Sequence, residues 1–222
     1  MHDLPSLTLD TLKIEVSKFV RQLNTTGIPT LFGVTDGKAV GTYVEQTLRD
    51  YLRTRYAFTP GNAALGIDFP DLDIDLKVTS IRQPQSSSPF RSASQKVYGL
   101  GYGLIVVVYD KQDDPQTQTA RLTIRHVVYV PPEKTGDYQT TFGIREILRR
   151  NGNSDDISAF LEERNLPVDE VEREKLTQRI VQQPPAQGYL TISNALQWRL
   201  QYGRVIALAT TDSADGLENL LA

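Results

Sequence analysis

Residues Asp68 to Thr79, Asp-Phe-Pro-Asp-Leu-Asp-Ile-Asp-Leu-Lys-Val-Thr, set the tightest limit on what this chain can form. Four aspartates, Asp68, Asp71, Asp73 and Asp75, fall within eight residues and run straight into Lys77 and a β-branched stretch. From Ile74 the residues alternate. Ile74, Leu76 and Val78 face one way and Asp73, Asp75, Lys77 and Thr79 the other, which is the period of a half-buried strand. Strands are ordinarily poor in Asp, whose short side chain bonds to nearby backbone and competes with the ladder. Charges lined up on one strand face therefore need compensation. A divalent cation provides it, because carboxylate oxygens converge on Mg2+ or Ca2+ and the ion reverses the local charge balance. Lys77, two residues beyond Asp75, projects to the same side, within reach of a phosphate or water at such an ion. An acidic turn ahead of a solvated edge strand has the same pattern, and spacing alone leaves both readings open.

A helix is expected just upstream, over about residues 38–56. Val40, Val44, Leu48, Leu52 and Tyr56 recur every fourth residue and form its buried stripe. Lys38, Gly41, Glu45 and Arg49 lie on the adjacent face. Lys38 and Glu45 are two turns apart on one side, so both can face a common cleft. Alternatively Glu45 is an exposed partner of Arg49 at i+4, which stabilises a helix by about 0.2–0.5 kcal/mol.

At these residues the chain resembles a known family. Asp68 followed by Asp75-Leu76-Lys77 is similar to the D…(D/E)-x-K signature of the PD-(D/E)xK nuclease superfamily, which contains most type II restriction endonucleases. The spacing from Asp68 to Asp75 and the run through Thr79 look most like the MutH mismatch-repair branch. Lys38 to Glu45 resembles the Lys…Glu helix that precedes the motif there. The resemblance covers about Lys38 to Lys96. It implies a Mg2+-dependent type II restriction endonuclease that hydrolyses phosphodiester bonds in double-stranded DNA at a specific sequence. It casts Asp68, Asp75, Lys77 and Glu45 as catalytic, with Asp68, Asp75 and Glu45 on the metal. Lys96 is similar to a lysine that sits beside the active site in that branch. The gap from Glu45 to Asp68 is longer than in the family pattern, and Asp71 and Asp73 stand as alternatives for the first carboxylate.

Composition narrows the classes. The chain has 222 residues, enough for one sizeable core, and a formal net charge of −3. Contact with a nucleic acid must therefore come from local basic patches rather than from the overall field. Cys is absent, which removes disulfides, thiolate nucleophiles and Cys-rich zinc sites together. No run is apolar enough to span a membrane, and residues 1–3 lack the charge and apolar block of a signal peptide, so a cytoplasmic protein with no membrane partner is expected.

Basic and amide-bearing segments supply candidate DNA contacts. Between Arg82 and Lys96 there are three cations, Arg82, Arg91 and Lys96, no acid, and many hydroxyls and amides. These are the donors that DNA backbones and grooves accept, although a flexible linker also contains Ser, Gln and Pro. Lys38 joins this set. Gly99 to Gly103 precedes the apolar run Leu104–Tyr109 rather than opening a helix, so it is not a dinucleotide fingerprint. Tight approach to a sheet fits it better. Residues 121–130 read as the next strand, antiparallel to that run, with His126 structural. Absence of a G-x-S-x-G elbow argues against a Ser hydrolase. A helix is expected over residues 140–150, followed by an acidic helical block over residues 155–175 that would repel DNA. Residues 176–211 read as a β-α-β portion: a strand near Gly188, a helix from Asn194 to Tyr202 ended by Gly203, and a strand from Arg204 to Ala209. Asn194, Gln197 and Arg199 there are candidates for base reading, since amides pair with adenine and Arg with guanine.

The expected architecture is α/β, a mixed central sheet flanked by helices, in one nuclease domain over residues 1–222 with its catalytic core at about residues 38–130. A homodimer is expected where the target is palindromic, because palindromic targets mirror two-fold protein symmetry. A repair or recombination nuclease of the same fold, or a catalytically silent DNA-binding module, would share these features. A Ca2+-binding loop is disfavoured by the missing EF-hand spacing.

Overall fold

The computed structural model describes residues 4–61, 66–193, 198–211 and 216–221. In chain order the elements are α1 (Leu9–Leu23), β1 (Gly27–Ile28), α2 (Gly37–Arg53), β2 (Ile74–Ser80), β3 (Gln85–Ser88), α3 (Gln95–Tyr98), β4 (Gly103–Asp114) and β5 (Thr119–Val130). There follow α4 (Tyr138–Arg149), α5 (Ser154–Glu163), α6 (Glu170–Gln182), β6 (Thr191–Ser193), β7 (Trp198–Gln201), α7 (Gly203–Ala209) and β8 (Glu218–Asn219).

The central sheet has strand order β1-β5-β4-β2, with β8 also pairing with β5. β2 and β4 are parallel, while β4 and β5 form a long antiparallel pair, so the sheet is mixed as expected. α1 and α2 cover one face, where Leu12, Val16, Val44, Leu48 and Leu52 meet Ile74, Leu76, Ile105 and Val107. The alternate residues of β4, Leu104, Val106 and Val108, point to the opposite face. There they meet a second antiparallel sheet, β3-β7-β6, and α7. A third cluster, with Ile144, Ile157, Leu161 and Ile180, joins α4, α5 and α6. Among the described residues no helix is long and apolar enough to cross a membrane.

Local chemistry explains the boundaries. Thr8 caps α1, its hydroxyl accepting a hydrogen bond from the Thr11 amide. Asp36 caps α2 through the Lys38 amide. Gly99 adopts φ 90°, and a Cβ there would lie 2.3 Å from the Pro132 carbonyl oxygen in the turn after β5, while at Gly103 one would lie 3.2 Å from the Val130 carbonyl of β5, the expected close approach to the sheet. The acidic block forms two helices rather than one. Asn165, at φ 50°, takes the left-handed turn after α5, and Pro167 follows it.

Two expectations are corrected. Residues 82–96 are not one loop, because they contain β3 and α3. Ser86 and Ser88 turn inward, their hydroxyls 2.5 Å from the Tyr202 hydroxyl and 2.9 Å from that of Tyr102, and long-range pairing makes a strand of a Ser-rich segment. The β-α-β portion is instead β6, β7 and then α7. Trp198 and Leu200 are fully buried while Arg199 and Gln201 are exposed, a period of two that four residues barely reveal. Val205 and Ala209 are buried four residues apart, the helical spacing that Gly203 opens rather than closes.

Candidate active site

β2 and α2 carry the acidic site between them. A single 3₁₀ turn at Pro70–Leu72 reverses the chain, and Phe69 and Ile74 exchange backbone hydrogen bonds of 2.9 and 3.2 Å across it. This small closure sets Asp68 beside β2. Asp68 Oδ2 accepts a hydrogen bond from the Leu76 amide at 3.0 Å. Its other oxygen, Oδ1, lies 2.5 Å from Arg49 Nη2 on α2. Asp71 is directed elsewhere, accepting from the Thr59 amide at 2.8 Å, and Asp73 occupies the left-handed residue that ends the turn. Of the alternatives for the first carboxylate, Asp68 is the one whose side chain and charge act on Asp75.

Asp75 is 3% exposed, so the solvated edge-strand reading does not hold. Lys77 Nζ approaches Asp75 Oδ2 to 2.7 Å, but off hydrogen-bond alignment, and that buried oxygen has no hydrogen-bond partner. Burial pushes the Asp75 carboxyl up to about 7; Lys77 opposes the shift and the adjacent Asp68 carboxyl reinforces it. Burial also pulls on the Lys77 ammonium, yet Asp75 outweighs it and holds Lys77 above the usual lysine range. Two neighbouring carboxylates that interact in this way do not both ionise cheaply without a cation beside them. Asp75 Oδ2, which has the Lys77 ammonium beside it but no aligned hydrogen bond, forms with the Asp68 carboxylate an all-oxygen donor set of the kind a hard divalent ion takes.

Glu45 is half-buried on the same side of α2. Its carboxyl is raised by burial and then by the Asp68 charge, with Lys77 and Arg49 opposing. The alternative reading of Glu45 as an exposed partner of Arg49 does not hold, because the Arg49 guanidinium reaches Asp68 instead. Among the described residues no three acidic or imidazole side chains converge as a finished metal cage. Asp68 and Asp75 meet, and Glu45 stands within electrostatic range. Sequence reasoning missed Arg49 as a site residue, although its place four residues after Glu45 was the available signal. It also missed Tyr102, a buried hydroxyl whose charge interactions are with Asp75 and Lys77 and for which only the glycine-flanked loop hinted.

A cleft of about 1320 Å3 opens at the far end of β2, beginning at Val78. It does not include Asp75 or Lys77. Gly41 links the two regions, since a Cβ there would be 3.8 Å from the Val78 carbonyl and 3.9 Å from Glu45 Oε1. Lys38, Arg82 and Arg199 line the cleft, as do Gln83, Gln85, Ser87 and Lys111. Arg91 lies elsewhere, 6.0 Å from the Tyr102 ring. Lys96 departs from expectation: it is 7% exposed, with its ammonium 5.6 Å from the Trp198 ring, so it faces protein rather than a DNA surface. Asn194 and Gln197 lie outside the described residues.

Comparison with known proteins bears on this geometry. The family model described as type II restriction enzyme NspV matches residues 6–219. The type II restriction enzyme NspV of a Nostoc species is 57% identical over 203 residues, covering 91% of this chain and 92% of that protein. No solved structure matches the chain.

Proposed function

The chain belongs to the family of the type II restriction enzyme NspV, and from that premise we propose that it cuts double-stranded DNA at a specific sequence through the Asp68, Asp75 and Lys77 cluster. The observation that carries the assignment of chemistry to these residues is the buried Asp75 carboxylate, set between Asp68 and Lys77, with one oxygen paired to the Lys77 ammonium but without an aligned hydrogen bond.

In this reading Asp68 and Asp75 hold a divalent ion, Mg2+, with Glu45 close enough to contribute through water. When bound, such an ion supplies a water of lowered pKa and stabilises negative charge at the reacting phosphate. The protein supplies the rest. Arg49 and the Leu76 amide fix both oxygens of Asp68, so its orientation does not depend on the substrate. Lys77 keeps its proton beside Asp75 and presents positive charge where the scissile phosphate docks. It orients the attacking water and offsets the charge that grows on phosphorus. Glu45, with its carboxyl raised by burial, is placed to hold a proton at the edge of the same site. Lys38 and Arg82, on the adjoining cleft, contact DNA phosphates. This arrangement is that of a PD-(D/E)xK nuclease, and it would act in the cytoplasm, as a homodimer if its target is palindromic.

The test is direct. The purified chain is incubated with plasmid DNA in Mg2+ and, separately, in a chelator. Discrete fragments in Mg2+ alone support the reading, and intact plasmid under both conditions removes it.

A further inference from the structure

The cleft beside the acidic site has one wall with an unusually ordered chemistry. β7 is the middle strand of the second sheet, and its register pairs Gln201 with Gln85 on β3 and with Thr191 on β6. Two residues along, Arg199 pairs with Ser87 and with Ser193. In a strand, alternate side chains share a face. The outward face therefore carries two polar rungs, Gln85–Gln201–Thr191 and Ser87–Arg199–Ser193. The inward face is Ser86, Ser88, Ile192, Trp198 and Leu200.

These outward side chains have nothing else to do. The amides of Gln85 and Gln201 and the guanidinium of Arg199 make no hydrogen bond or ion pair with other described residues. Not every cationic group on the cleft is as free. Lys111, for example, is tied to Asp113 at 2.5 Å. The platform beneath them is fixed, with Trp198 and Leu200 fully buried and Trp198 Nε1 donating to Gln95 at 2.9 Å. The sheet is also anchored next to the chemistry. Ser88 meets the Tyr102 hydroxyl, and Tyr102 feels the charges of Asp75 and Lys77.

Dimensions fit one partner. The base-facing residues Gln85, Gln201 and Arg199 all lie on β3 and β7, a two-stranded antiparallel ribbon with strands about 4.8 Å apart. A B-DNA major groove about 12 Å wide admits a two-stranded β-ribbon. The rungs are two residues apart, about 6.8 Å along the strand, which matches about two base-pair steps of 3.4 Å. Resting on the nuclease reading above, we propose that this outward sheet face is the base-reading surface, laid into the major groove, with Arg199 reading guanine and Gln85 and Gln201 reading adenine. Arg donates two hydrogen bonds to guanine O6 and N7, and the Gln amide both donates to and accepts from adenine. The cleft, which Arg199, Ser87 and Gln85 line, then carries the duplex from this face toward Val78 and the acidic site.

The test uses the full chain and DNA of known sequence. Wild-type cut ends are mapped in Mg2+. Duplexes holding the mapped site, and each single-base change of it, are then compared for wild type, Arg199→Ala, Gln201→Ala and Gln85→Ala. Randomised duplexes bound in Ca2+ are sequenced in parallel, which scores preference whether or not cutting occurs. Arg199→Ala should lose discrimination at a G·C position by roughly tenfold to a hundredfold, with the other positions still read. The Gln variants should relax an A·T position. Unchanged preference in all three variants overturns the proposal. So does a uniform loss on every sequence with a shallower salt dependence, which marks phosphate contact instead. Absence of cutting by wild type, together with a binding preference that Arg199→Ala abolishes, would leave this face standing and sink the nuclease reading.

Discussion

Arg49 and Asp68 come from different elements and meet at 2.5 Å, the link by which α2 holds the acidic turn against β2. The partner oxygen of Asp68 is held by the Leu76 amide, so this carboxylate has both oxygens directed before any ligand arrives. Arg49→Ala should free one of them. Cleavage should fall at least tenfold, while stability changes by about 1 kcal/mol or less, as for other part-exposed ion pairs. Steady-state cutting of plasmid DNA and thermal unfolding measure the two. Wild-type rates in the variant would show that Asp68 needs no such support.

Asp75 makes the fold itself sensitive to pH. Its folded carboxyl is raised from the usual value of 3.8 to about 7, chiefly by burial. The unfolded chain therefore releases this proton at lower pH than the folded one does. The stabilisation from a protonated Asp75 is fully present below about 4 and is lost as pH rises through about 7. In the absence of divalent ions, Asp75→Asn should remove that part of the pH dependence and be at least as stable as wild type at pH 8. Unfolding midpoints across pH 5–9 report this. An Asp75→Asn protein that loses stability with pH just as wild type does would contradict it.

The same shift governs activity. An ion held by Asp68 and Asp75 competes with the Asp75 proton, so at limiting Mg2+ the cutting rate should drop as pH falls through about 7. Raising the Mg2+ concentration should move the midpoint to lower pH. A midpoint that ignores Mg2+ concentration would separate the titrating group from the ion.

Lys77 is the counter-charge of Asp75 at 2.7 Å. Lys77→Met should abolish cutting and leave binding to DNA in Ca2+ in place. It should also raise the Asp75 carboxyl further, so the loss of stability relative to wild type grows between pH 6 and pH 9. Calorimetric unfolding and a gel-shift assay measure both. A variant that still cuts would remove Lys77 from the chemistry.

The sequence shows the frame of this site because the frame is local. The period-two run from Ile74 and the i+4 stripe of Val40, Val44, Leu48 and Leu52 each need only their own residues to be recognised, and both elements lie where expected. The β4 and β5 strands were legible for the same reason. The choice of Asp68 over Asp71 and Asp73 was not, because it depends on the turn at Pro70–Leu72 and on Arg49 from a distant helix. β3, β7 and α7 were missed or inverted for a related reason. β3 owes its strand to pairing with residues more than a hundred positions away, and Gly203 is compatible with either end of a helix. The buried hydroxyls of Ser86 and Ser88 likewise acquire meaning only beside Tyr202 and Tyr102.

Titration calorimetry of Mn2+ into the wild-type chain and into Asp75→Asn, at pH 7.5 and without DNA, addresses the convergence of Asp68 and Asp75 most directly. The structure predicts binding to the wild type with proton release, and affinity in the variant weakened at least tenfold. Equal affinity and equal proton release in the two proteins would contradict it.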